Sequence, residues 1–142
     1  MAHKKITLLL LTASLLASLL SACASQNKLM MMPFDRMPEK VQSAPTRVLQ
    51  AYQFAAANPD TVKEIPCYCG CNTIGHTSNY DCYVANVDAS GYITFDEHAV
   101  SCSICVDITQ DVMRMVRDGK SPQEARAYID MSYSKYGTST TP

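Results

Sequence analysis

A mainly α fold is predicted, in which a cysteine-rich irregular loop packs on a C-terminal helical hairpin within one small domain. Three observations carry this expectation. Apolar residues recur at helical spacing in three stretches after residue 45. Two Ser/Thr-x-x-Glu signatures, Thr94 to Glu97 and Ser121 to Glu124, have the form of capping boxes. Between the first two helical stretches, residues 66–91 combine turn formers with most of the cysteines and no strand alternation.

The first 22 residues read as an export signal. His3, Lys4 and Lys5 precede an apolar run from Ile6 to Leu20, shorter than the stretch of about 20 residues that a membrane-spanning helix needs. Leu20-Ser21-Ala22-Cys23 resembles the bacterial lipobox, so cleavage before Cys23 and acylation of its thiol are expected. The protein would then be extracytoplasmic, held to a bacterial membrane by lipid on Cys23. Residues 23–44, rich in Ser, Gln, Met and Pro, are expected to be a tether without fixed structure. Met30, Met31, Met32 and Met37 within it offer thioethers to a soft metal, although no companion ligand or regular spacing sharpens that signal.

Residues 45–137 form the expected domain. Thr46 to Ala57 places Val48, Leu49, Tyr52 and Ala55 on one helical face, and Asn58-Pro59 ends it. The Thr94 capping box predicts a helix from there to Asp118, with Ile104, Cys105, Ile108, Val112, Met115 and Val116 as its stripe and Gly119 as its left-handed stop. Ser121 caps a further helix from Pro122 to about Tyr136, with Ala125, Tyr128, Ile129, Ser132 and Tyr136 inward. Residues 138–142 are expected to be a disordered tail.

Composition narrows function. Export leaves 120 residues, enough for one modest core, and with no Trp and three Phe that core rests on aliphatic residues, Met and eight Tyr. Such a core benefits from a disulfide or metal staple. The net charge is −1 and the basic residues are scattered, so there is no stripe for a nucleic-acid backbone. The serines and histidines show no triad order, and no enzymatic activity is expected.

Cys67, Cys69, Cys71, Cys82, Cys102 and Cys105 make an even set, which in an exported chain suggests three disulfides. Thiols alternating one residue apart strain any bridge among Cys67, Cys69 and Cys71, but around Gly70 they can converge on one small volume. Cys102 and Cys105 lie one helical turn apart, and His98 a turn before Cys102. His76 falls between the triple-cysteine loop and Cys82. Many thiolates with few carboxylates disfavour Ca²⁺ and Mg²⁺ and leave Cu(I) and Zn²⁺. Six sulfurs exceed the need of one tetrahedral ion, which favours Cu(I). His76, His98 and Met115 are the candidate secondary ligands, Met115 from the same side of its helix as Cys105, with core packing the favoured reading of Met115. Tyr68 is expected either to stack over the cluster and limit water or to serve plain packing.

Pro66-Cys67-Tyr68-Cys69-Gly70-Cys71 resembles the motif of the PCYCGC family of bacterial lipoproteins. Gly75-His76, Asp81-Cys82, His98-Ala99, Cys102 to Cys105, Gly119-Lys120-Ser121 and Ile129-Asp130 extend the likeness from about Val48 to Tyr136. That family is of unknown function, so the resemblance supports the cysteine constellation without naming its task. The leading expectation from the residues is a Cu(I)-binding lipoprotein that sequesters, stores or delivers copper, with a copper donor or acceptor protein as partner. A metal-free, disulfide-stabilised interaction module and a thiol–disulfide exchange protein using Cys102-Ser103-Ile104-Cys105 are the alternatives.

Overall fold

A computed structural model describes residues 28–141. The expected signal peptide, Cys23 and the start of the tether lie outside the described residues. Among the described residues six α-helices and one two-stranded sheet are formed: α1 (Glu39–Gln42), α2 (Thr46–Ala57), α3 (Pro59–Val62), β1 (Val84–Val87), β2 (Ile93–Phe95), α4 (His98–Ser101), α5 (Ser103–Arg117) and α6 (Pro122–Tyr133). The fold is mainly α, with the cysteines in and beside an irregular loop.

The central element is α5. Its inner face buries Cys105, Ile108, Thr109, Val112 and Met113. Helix α2 packs on one side of it, burying Ala51, Tyr52, Phe54, Ala55 and Ala56, and α6 packs on the other through Ala125 and Ile129. The small alanines of α2 allow close approach, while Tyr52 and Tyr83 supply bulk where tryptophan is absent. Their rings meet edge to face at 4.9 Å, a favoured aromatic geometry.

The expected α5–α6 hairpin is present. Gly119 turns the chain at φ 78°, and Lys120 N–H donates back to Met115 O at 2.9 Å. Ser121 and Glu124 close the capping box reciprocally: Glu124 N–H donates to Ser121 Oγ (3.2 Å) and Ser121 N–H to Glu124 Oε2 (2.9 Å).

Three expectations are corrected. The helix does not begin at Thr94, which pairs instead with Asn86 in the β1–β2 hairpin. The hairpin forms because Asp88 Oδ1 binds the amides of Ser90 and Tyr92 and the Ser90 hydroxyl, stabilising a turn between two β-branched and aromatic runs. The helix starts instead after Glu97, where Asp96 Oδ1 accepts from His98 N–H at 2.7 Å, and it breaks again at Cys102 (φ −107°, ψ 99°).

From Lys28 onward the tether region is structured. Met32 exchanges hydrogen bonds with Gln53, Asn58 Nδ2 donates to Met30 O, and Met37 and Val41 are buried. Those apolar side chains cover a core that the short helices leave open. The C-terminal residues are not a loose tail either: Thr140 N–H donates to Cys67 O (3.1 Å) and Cys67 N–H to the Thr140 hydroxyl (2.8 Å). A Cβ on Gly137 would meet Tyr68 O at 2.7 Å, so only glycine lets this strap lie so close.

Replacing Ser121 by Ala is expected to lower unfolding free energy by about 1 kcal/mol in denaturant titrations at neutral pH. The Ser121 amide, helped by Lys120, holds the Glu124 carboxyl down at about 2. Its stabilising contribution is therefore present above the ordinary glutamate range and lost as pH falls through about 2. Unchanged stability in Ser121→Ala would contradict the capping argument.

Candidate metal centre

The triple-cysteine loop is shaped by its backbone. Asn79 N–H donates to Ile65 O at 2.7 Å, tying the end of the loop to its start. Gly70 takes φ 85° and reverses the chain between Cys69 and Cys71. A 3₁₀ turn, Cys71–Ile74, ends at Gly75 with φ 94°, and His76 N–H then returns to Cys71 O at 3.2 Å. That return sets His76 beside Cys71. Asp81 Oδ2 gathers the Thr77 and Ser78 amides, and the 3₁₀ turn Tyr80–Cys82 delivers Cys82 inward. From the opposite side come His98 on α4 and Cys102 and Cys105 at the start of α5.

The six cysteines among the described residues are free thiols, and their sulfurs form one contiguous group. Cys105 Sγ is the hub, 3.1 Å from Cys102, 3.4 Å from Cys67 and Cys82, and 3.5 Å from Cys69. Cys67 lies 3.4 Å from Cys69, and Cys71 lies 3.7 Å from Cys82. His98 Nε2 is 3.4 Å from Cys69 Sγ, and His76 Nδ1 is 3.5 Å from Cys82 Sγ. These separations are far longer than the disulfide bond of about 2.05 Å. They approach the edge of about 3.8 Å that metal–sulfur bonds of about 2.3 Å give a tetrahedron. Several overlapping sets of these side chains could hold a metal ion, among them Cys69, His98, Cys102 and Cys105, and separately Cys71, His76 and Cys82. The framework of three disulfides is not formed.

Electrostatics explains why such a cluster wants a cation. Two thiolates 3.5 Å apart repel by on the order of 5 kcal/mol at an effective dielectric constant of about 20. Only some of the thiols can therefore ionise. A hydrogen bond from the Cys105 thiol brings Cys102 down to about 5 against the opposing effect of burial, and the Cys105 amide at the start of α5 adds to the pull. Cys105 itself is pushed far up, first by Cys102 and then by Cys67. Burial, together with the charge on Cys67, raises Cys69. A bound cation would take the place of the protons retained on Cys69 and Cys105.

The surroundings hold the donors in place. The Tyr83 hydroxyl donates to Cys105 O at 2.8 Å and meets Thr109 Oγ1 at 2.7 Å, where Asn79 Nδ2 also donates. Asp96 serves both histidines: its Oδ1 caps the His98 amide, and its Oδ2 lies 3.7 Å from His76 Nε2. A carboxylate behind a histidine whose other nitrogen faces thiolates is the arrangement that orients metal-binding imidazoles. Tyr52 OH donates to Asp96 O at 2.8 Å and so fixes this aspartate from α2. The two imidazole rings stand edge to face, 5.2 Å apart.

Of the sequence-predicted ligands, the six cysteines, His76 and His98 come together. Met115 does not. It lies ten residues after Cys105 on one continuous helix, about 15 Å away along the axis, and packs at the core's edge. Tyr68 turns toward α6 and donates to Asp130 Oδ1 at 2.6 Å, so it anchors the loop to the hairpin. Three methionines of the N-terminal segment are used in packing, with Met37 buried and Met31 and Met32 against the core, while Met30 is exposed. Sequence reasoning missed Tyr83, Thr109, Asn79 and Thr140, and saw Asp96 only as part of a cap. Tyr83 directly follows Cys82, the one local hint available. No curated protein and no solved structure matches this chain. The family model described as a protein of unknown function with PCYCGC motif matches residues 21–142, and the chain belongs to that family.

Proposed function

We propose that this protein is a membrane-anchored extracytoplasmic lipoprotein that binds Cu(I) through its six cysteine thiolates, to sequester or store the metal or hand it to a partner protein. The observation that carries the reading is the contiguous group of six free thiols, four of them buried, with two imidazoles at its edge. Thiolates select soft monovalent copper, and a hub sulfur in contact with four others suits bridging between ions. Cys69, His98 and Cys102 are half-buried, so a donor or acceptor protein can reach the metal by ligand exchange. The lipid on Cys23 keeps the site at a membrane surface, and the protein acts by binding, with no catalytic role and no nucleic-acid partner. Zn²⁺ is the second reading, favoured by the four-donor set Cys69, His98, Cys102 and Cys105, which matches a tetrahedral ion.

Anaerobic titration with Cu(I) and Zn²⁺ against competing chelators tests the metal. Cu(I) is expected to bind more tightly, and at a hundredfold excess over its dissociation constant to stabilise the fold by about 2.7 kcal/mol, raising Tm by about 10 °C or more. The double variant Cys69→Ser, Cys105→Ser should lose at least about tenfold in affinity, since thiolates are the strongest donors to soft metals. Equal binding by variant and wild type would refute the reading. For the anchor, Cys23→Ala is expected to abolish incorporation of labelled fatty acid, and persistent labelling would remove that assignment.

A further inference from the structure

We infer that the eight donors divide into two metal compartments of unequal accessibility, an inner one of Cys67, Cys71, Cys82 and His76 and an outer one of Cys69, Cys102, Cys105 and His98, each taking one thiophilic ion. This rests on the metal-binding reading and adds the number of ions and the route by which metal exchanges.

The two imidazoles set the division. His98 Nε2 faces Cys69, and these two with Cys102 and Cys105 lie within 4.8 Å of one another. His76 Nδ1 faces Cys82, and His76, Cys71 and Cys82 likewise lie within 4.8 Å of one another. These sets share no residue. The remaining sulfur, Cys67, lies within that distance of Cys71 and Cys82 as well as of Cys69 and Cys105, and its full burial under the C-terminal strap assigns it to the inner set. Each compartment then has three sulfurs and one imidazole. Three thiolates satisfy Cu(I), and the imidazole makes up a tetrahedron for Zn²⁺ or Cd²⁺. The 3.4 Å contacts of Cys67 with Cys69 and of Cys105 with Cys67 and Cys82 join the compartments, so each ion feels its neighbour.

Accessibility separates them. Cys67, Cys71 and Cys82 are buried, and the His76 side chain, backed by Asp96, is 10% exposed. The C-terminal strap holds Cys67 through both of its backbone groups. In the outer set only Cys105 is buried, while Cys69, Cys102 and His98 reach the surface. An apolar groove of about 280 Å³ opens beside Cys102, between Pro45 and Val48 on one side and Val100 and Val106 on the other. Metal therefore enters and leaves through the outer compartment, and the inner ion exchanges slowly.

The test uses the full chain in detergent, reduced and titrated anaerobically with ¹¹³Cd²⁺. Two cadmium resonances in the range of three sulfurs and one nitrogen are expected, and on adding a chelator the outer one should fade at least tenfold faster. Cys102→Ser should abolish or strongly shift the outer resonance while the inner one persists. Serine is a preferred helix-capping residue, so this variant retains the start of α5. His98→Ala provides a second variant with the same expected pattern. If no cadmium binds, the metal reading itself fails. One resonance, equal loss of both on chelation, or simultaneous loss or full retention of both in the two folded variants overturns the two-compartment inference while leaving metal binding intact.

Discussion

Sulfur atoms held 3.1 to 3.7 Å from their neighbours repel one another once more than one loses its proton, and holding them together is the constraint that the surrounding elements serve. Neutral thiols can share such a volume, but several thiolates cannot without a counter-charge. Here three chain segments converge to keep them together and reduced. Gly70 and Gly75 bend the first segment, the turn at Tyr80–Cys82 brings the second, and the break at Cys102 sets the third at the start of α5. A bound cation would relieve that conflict, in keeping with the metal binding proposed above.

Polar support reaches the cluster from almost every element. Tyr83 and Thr109 hold the backbone around Cys105, Tyr52 on α2 fixes Asp96, and Asp96 fixes both histidines. Tyr68 ties the loop to α6 through Asp130, and the strap at Thr140 clamps Cys67. The short N-terminal elements contribute differently, by covering core surface with Met37 and Val41. Each contact limits how far a donor can drift, and such preorganisation reduces the ordering cost of binding.

The parts of the structure legible in the sequence are those fixed by local chemistry. The α5–α6 hairpin follows from Gly119 and the Ser121 capping box, and α2 from its apolar period. The convergence of the cysteines followed from a weaker argument, that alternate thiols around Gly70 and the Cys102/Cys105 pair suit a common centre. What stayed hidden depends on partners distant in sequence. Thr94 to Glu97 has the form of a capping box, yet pairing with β1 outweighs that local preference. Met115 shares an apolar stripe with Cys105, but the ten residues between them, at about 1.5 Å each, already put it too far along the helix to reach the cluster, and that distance was legible in the sequence. The strap and the N-terminal segment have compositions typical of loose chain ends, and gain order from hydrogen bonds to Cys67, Gln53 and Asn58 and from burial of Met37 and Val41.

The central claim is that the six thiols stay reduced because they share bound metal. Native mass spectrometry of the full chain isolated anaerobically without added metal, compared with the same sample after acid removal of metal, tests it most directly. The account predicts a native mass that exceeds the acid-treated mass by bound thiophilic metal, with the acid-treated chain at the mass of six free thiols. A metal-free native chain carrying the mass deficit of three disulfides would contradict it.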